Sequence, residues 1–90
     1  MITIDNVLHH ELIGLYIKIL HSKQINCSNL LGKIVFETKN MLVLRTNQGV
    51  KKIPKNTIII CALYLPLNVC FISGYSMIGR PEDRVLRNRR

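Results

Sequence analysis

His9, His10 and Glu11 are where a proton-transfer or metal site would have to be sought in this chain. His10-Glu11 opens like the H-E-x-x-H helix of zinc hydrolases, in which two histidines one turn apart hold the metal and the glutamate acts as base. The position four after His10 is Gly14, so the second histidine ligand is missing. Adjacent helical residues also point in different directions and converge poorly, which leaves capping or packing as the plain alternative. Asp5, Glu11, Glu37, Glu82 and Asp83 are too scattered to hold the cation pair of a two-metal nuclease. No G-x-S-x-G, Walker or G-x-G-x-x-G pattern occurs, and the five glycines stand alone, as turn or bulge positions do. Cys27, Cys61 and Cys70 form an odd, widely spaced set with no C-x-x-C pair, and the apolar runs around Cys61 and Cys70 predict buried free thiols. From these residues, no catalytic group and no metal site is expected.

The basic residues carry more information. Thirteen Lys and Arg against five Asp and Glu give a net charge of +8, with a pI near 9.9. Residues 1–31 balance, whereas residues 32–60 carry six bases and one acid, and residues 61–90 carry five arginines and two acids. Lys51, Lys52 and Lys55 bracket Ile53-Pro54, and Arg80, Arg84, Arg87, Arg89 and Arg90 crowd the end. A single Lys-Lys pair is ordinarily a solvated face. Two clusters on a strongly basic small domain point instead to a polyanion, most commonly nucleic acid. Trp is absent and only three Tyr and two Phe occur, without an RNP-like pattern, so recognition of a folded RNA's shape and phosphates is expected over base stacking.

These residues need a scaffold. Ninety residues make one domain, and 48% hydrophobic content argues against intrinsic disorder. The richest apolar stretch, Ile58 to Ile72, is broken by Pro66 and Asn68 and is too short to span a membrane as a helix. No basic stretch with a small-residue cleavage site opens the chain, so a cytoplasmic location is expected. Ile4, Leu8, Leu12 and Leu15 recur at near-helical spacing, Asp5 or Asn6 can cap, and Gly14 ends the segment, which predicts a short N-terminal helix over residues 1–14.

From Leu15 to His21 the period changes to two, and Ser22 to Asn29 reads as a loop. Further strands are expected over Leu31 to Thr38, Met41 to Thr46, Val50 to Pro54, Ile58 to Tyr64 and Val69 to Ser73. Lys39-Asn40 and Asn47-Gln48-Gly49 are connections short enough to force antiparallel neighbours. The fold class is therefore mainly β: a six-stranded antiparallel sheet over residues 15–79, curled into an Sm-like or SH3-like barrel because an open sheet would leave edges and an apolar face exposed. A basic C-terminal helix or tail over residues 80–90 follows, with Pro81 at its first position.

Particular strings go further. His10 to Leu15, H-E-L-I-G-L, resembles the opening of the archaeal ribonuclease P protein component 1 family. That family's G-x-(I/V)-x-x-E-T-x-N-x-L is matched by Gly32, Ile34, Glu37, Thr38, Asn40 and Leu42, and its (I/V)-P-K by Ile53-Pro54-Lys55. The terminal G-x-R-P-E-x-R pattern is similar to Ser76 to Arg84, with R-P-E-D-R complete at Arg80 to Arg84, although Gly79 here directly precedes Arg80. Four motifs in order cover nearly the whole chain.

The resemblance implies an Sm-like barrel with flanking helices, serving as a protein subunit of the ribonucleoprotein endonuclease that cleaves 5′ leaders from precursor tRNA. In that holoenzyme the RNA, with magnesium, supplies catalysis. This chain would bind no cofactor and no metal, and would stabilise the RNA and assist substrate binding. The implied partners are ribonuclease P RNA, a zinc-ribbon protein subunit with further ribonuclease P proteins, and precursor tRNA; there is no membrane partner, and the free chain is a monomer. Structural roles are expected for Gly14, Gly32 (a sharp bend), Glu37, Thr38 and Asn40 (the hairpin), Pro54, Gly79 and Pro81. RNA contacts are expected at Lys33, Lys39, Arg45, Lys51, Lys52, Lys55, Arg80, Arg84, Arg87, Arg89 and Arg90. The alternatives are a homo-oligomeric Sm-like RNA chaperone and, resting on His9, His10 and Glu11 alone, a nuclease with its own site.

Overall fold

Period-two patterning builds six strands: β1 Tyr16–Ser22, β2 Leu31–Glu37, β3 Met41–Thr46, β4 Gly49–Pro54, β5 Ile58–Tyr64 and β6 Val69–Ile72. The computed structural model describes residues 3, 6–80, 83 and 84. One face of each strand is buried: Ile17 and Ile19, Ile34, Leu42 and Leu44, Ile53, Cys61 and Leu63, and Cys70 form one cluster with Leu12 and Met77. At the ~25 cal/mol per Å² of apolar surface removed from water, this single cluster is the main stabilising contribution.

The strands form one antiparallel sheet in the order β4-β3-β2-β1-β5-β6. The expected meander is present: Thr38–Asn40 joins β2 to β3, and Asn47-Gln48 joins β3 to β4. A 3-10 turn at Lys55–Thr57 then carries the chain to β5, which pairs with β1. Inner residues from both ends of the sheet share one core, so the sheet curls on itself. Closure of a barrel by pairing is not seen: β4 and β6 are the two ends of the order, and among the described residues no ladder joins them.

Register shifts decide which side chains turn inward. One lies in β1 between Ile19 and His21. Another, in β2 between Ile34 and Phe36, resets the alternation, so that Phe36 faces outward and Glu37 turns into the core.

The N-terminal helix expected over residues 1–14 is corrected. Among the described residues it is a single 3-10 turn, Val7–His9, after which His10 is extended at φ −113° and ψ 161°. A continuous helix would consume the His10 carbonyl and Leu12 amide in its own ladder, whereas both are engaged by side chains from elsewhere. Asn6 does not cap this turn; its Oδ1 accepts from the Thr3 amide at 2.7 Å. Of the expected C-terminal helix, Asp83 and Arg84 are helical and the Arg84 amide donates to the Arg80 carbonyl at 2.9 Å. Pro81, Arg87, Arg89 and Arg90 lie outside the described residues.

Candidate nucleic-acid interface

The cations fall into two populations. Lys55 and Arg84 are both 0% exposed and converge on Glu37. Lys55 Nζ donates to Glu37 Oε2 at 2.7 Å and to the carbonyls of Thr38 at 2.7 Å and Gly79 at 3.1 Å. Arg84 Nη1 donates to Glu37 Oε2 at 2.9 Å and Nη2 to Oε1 at 3.2 Å, the bidentate pairing a guanidinium favours. Its Nε donates to the Leu8 carbonyl at 2.9 Å and Nη2 also to that of His10 at 2.8 Å, while Nη1 shares its hydrogens between Glu37 and the carbonyls of Met77 at 3.1 Å and Gly79 at 2.8 Å. Glu37 Oε1 also accepts from the Leu12 amide at 3.0 Å.

Burial alone would push the Glu37 carboxyl up. Hydrogen bonds from Arg84, Lys55 and the Leu12 amide, with the Arg84 charge, outweigh that and hold it below its ordinary value. Among the described residues no buried side-chain nitrogen or oxygen lacks a partner, so this cluster meets the condition under which buried charge is tolerated.

All four sequence motifs meet here. H-E-L-I-G-L supplies the His10 carbonyl and Leu12 amide. E-T-x-N supplies Glu37, the Thr38 carbonyl and the Asn40 carbonyl, which accepts from the Lys55 amide at 2.8 Å. I-P-K supplies Lys55, and the terminal motif supplies Gly79 and Arg84. Thr38 Oγ1 also accepts from the Met41 amide at 3.1 Å, which shapes the β2–β3 turn. Gly79 holds φ +104°, a left-handed conformation that lets its carbonyl face both cations.

Lys55 and Arg84 are therefore corrected as RNA contacts: both head groups are spent on Glu37 and backbone carbonyls beneath the surface. A one-dimensional charge count gave no sign of this, since burial depends on the β2 bulge that turns Glu37 inward.

The second population is exposed. Cross-strand register aligns Val50, Arg45, Lys33, Tyr16, Tyr64 and Val69 as one rung spanning all six strands on the outer face. All six are exposed. Lys33 Nζ lies 5.9 Å from the Tyr16 ring centroid, a cation–π distance. Lys52, opposite Val43, shares this outer face, whereas Lys51, opposite Leu44, lies toward the inner side yet is exposed on the end strand β4. Lys39 in the β2–β3 turn and Arg80 are also exposed.

Of the remaining predicted structural residues, Gly14 donates its amide to the Ile34 carbonyl at 2.7 Å, and Pro54 pairs with Met41 on β4. Gly32 is not a bend. It lies within β2, where a Cβ would come within 3.0 Å of the Arg45 carbonyl and 3.2 Å of Leu44 Cβ, so its role is close approach of β2 and β3. His10 and Glu11 side chains are exposed, and among the described residues no three His, Cys, Asp or Glu side chains gather where they could hold a metal ion. Cys27, Cys61 and Cys70 are free and buried.

A curled antiparallel module with a basic outer face, braced internally by an ion cluster, is the class of small domain that binds polyanions. Comparison with known proteins gives the family. Residues 5–87 match the model of the ribonuclease P/MRP p29 subunit family. A Methanocaldococcus jannaschii protein named ribonuclease P protein component 1 is 36% identical over 85 residues, covering 94% of this chain and 90% of that one. Its namesake from Methanococcus aeolicus is 41% identical over 91 residues, covering 97% and 92%. Among solved structures, Mth11, described as a homologue of the human RNase P protein Rpp29, superposes with a TM-score of 0.58 at 32% identity, over 83% of this chain and 97% of that one. The chain belongs to the ribonuclease P/MRP p29 family.

Proposed function

We propose that this chain is a protein subunit of ribonuclease P, the ribonucleoprotein endonuclease that matures the 5′ end of tRNA, and that it binds and stabilises the catalytic RNA without making or breaking a bond itself. The observation that carries this reading is the meeting of all four family motifs in one buried cluster, which gives the shared residues a common purpose: to hold a scaffold whose exposed cations face outward. Lys33, Lys39, Arg45, Lys51, Lys52 and Arg80 are the phosphate contacts, with the arginines at positions 87, 89 and 90 in the same role. Phosphate neutralisation of this kind supplies affinity and register without sequence readout. Magnesium belongs to the RNA, and the zinc-ribbon subunit, other ribonuclease P proteins and precursor tRNA complete the particle. The curled sheet with its single core supports an Sm-like reading, and a role in tRNA maturation supports a cytoplasmic location.

A homo-oligomeric ring would join end strands of neighbouring copies. Exposed Lys51 and Lys52 on the end strand β4 oppose such pairing, because lysines on an edge disfavour addition of a further strand, and apolar β6 offers no acidic partner for them. Light scattering on the free chain should report a monomer. The subunit reading is tested by reconstituting precursor-tRNA cleavage with and without this chain: omission should lower the rate or raise the magnesium requirement, and an unchanged reaction would refute it.

A further inference from the structure

The outer rung meets a concavity that phosphate binding alone does not use. A cleft of about 520 Å³ is lined by Tyr16 and Arg45 from the sheet, by Asn26 and Asn29 from the β1–β2 connection, and by Asn47 and Gln48 from the β3–β4 turn. Its volume falls within the ~300–1,000 Å³ of small-ligand sites, and no carboxylate lines it. Asn29 stands at φ 64° and its amide donates to the Ile19 carbonyl at 2.6 Å, so the rim is fixed to β1 at its bulge. Among the described residues, the side-chain amides of Asn29, Asn47 and Gln48 have no hydrogen-bond partner.

We propose that this cleft and the adjoining tyrosines bind unpaired nucleotides of a single-stranded RNA segment, with a base on Tyr16 and its edge against the Asn and Gln amides. Tyr16 is 54% and Tyr64 is 40% exposed, and the two stand directly opposite each other on β1 and β5, which places two rings side by side as a platform for consecutive bases. A side-chain amide carries both donors and an acceptor, so a set of amides can satisfy the mixed edge of an unpaired base. Lys33 beside the Tyr16 ring and Arg45 in the cleft wall supply positive charge for the linking phosphates. An apolar protein partner fits this face less well, because Lys33, Arg45 and four amides would have to be desolvated under it.

This inference rests on the RNA-binding reading above and is tested separately from it. The full chain is titrated against a single-stranded RNA of about eight nucleotides carrying 2-aminopurine, with a blunt duplex of the same length as competitor. The single strand should bind with quenching of the fluorophore, and the duplex should compete poorly. Tyr16→Ala should weaken single-strand binding about five- to hundredfold, while Tyr16→Phe, which keeps the ring, should stay within about twofold. An Asn47→Ala, Gln48→Ala double variant should weaken binding without abolishing quenching. Because Tyr16 is exposed, its variants should keep the wild-type thermal midpoint.

Equal binding by wild type and Tyr16→Ala, equal competition by duplex, or occupation of this face by a protein subunit with single-strand affinity unchanged would each overturn the cleft. If the chain still stimulates precursor-tRNA cleavage in that case, the subunit reading survives the loss of the cleft. Failure of the wild-type chain to stimulate cleavage removes the subunit reading itself.

Discussion

The Glu37 cluster and the outer rung contain the same kinds of residue and use them in opposite ways. Inside, Lys55 and Arg84 are fully buried and their donors are consumed by one carboxylate and by carbonyls from the N-terminal segment, the β2–β3 turn and Gly79. Outside, Lys33 and Arg45 lie opposite each other across β2 and β3 with their charge open to a ligand. The difference shows that a basic residue specified by a family motif can be there to close the fold, as Lys55 and Arg84 do, while Lys33 and Arg45, which no motif specifies, remain available for the partner.

The comparison breaks most visibly at Glu37. Glu37→Ala strands two buried cations and should cost about 3–5 kcal/mol, a large part of the ~5–15 kcal/mol holding a small domain together. Arg84→Ala should be of similar size, because it takes the guanidinium donors from Glu37 and from the carbonyls of Leu8, His10 and Met77, and leaves the Gly79 carbonyl to Lys55 alone. Denaturant midpoints measure both, and a shift under about 0.5 kcal/mol, the range of exposed sites, would place these cations on the surface.

Acid sharpens the same point with a smaller effect. The folded state binds a proton at Glu37 less readily than the unfolded chain does. Its stabilising contribution is therefore complete above the ordinary value of 4.5 and fades as pH falls below that through the depressed folded value. Denaturation midpoints followed from about pH 6 to pH 3 should fall for the wild type and fall less steeply for Glu37→Gln; parallel curves would mean that Glu37 is not the responsible group.

The smallest effect lies away from both regions. Burial, with the neighbouring Cys70 adding to it, pushes the Cys61 thiol up to about 12, so iodoacetamide at neutral pH should reach it only as fast as the protein opens. Rapid labelling of Cys61 in the folded chain would show that the β5–β6 end of the core is not closed.

Much of the fold was legible in the sequence. Strands β3 and β5 fall where alternation and turn residues place them, β2, β4 and β6 differ by a residue at one end, and β1 is shifted by one residue at both ends, because a period of two is strictly imposed on a sheet with one buried face. The N-terminal segment was not legible, because Leu8 and Leu12 keep helical spacing while their burial is reached by one 3-10 turn and an extended stretch that feeds Arg84 and Glu37. Nor was the burial of Lys55 and Arg84, which depends on a bulge between Ile34 and Phe36 that no local residue announces. The pairing of Tyr16 with Tyr64 was hidden for another reason. β1 lies between β2 and β5 in the sheet, so two tyrosines far apart in the chain become neighbours only through the crossover. The expectation against base stacking rested on composition and took no account of that adjacency.

The salt dependence of RNA affinity for a Lys33→Ala, Arg45→Ala double variant tests the division of the cations most directly. With about 0.7–0.9 released per phosphate contact, the slope of log affinity against log salt should flatten by about 1.4–1.8 relative to the wild type, with each exposed substitution moving stability by no more than about 0.5 kcal/mol. An unchanged slope, or a slope that flattens only because the variant unfolds, would contradict the assignment of these two residues to the RNA.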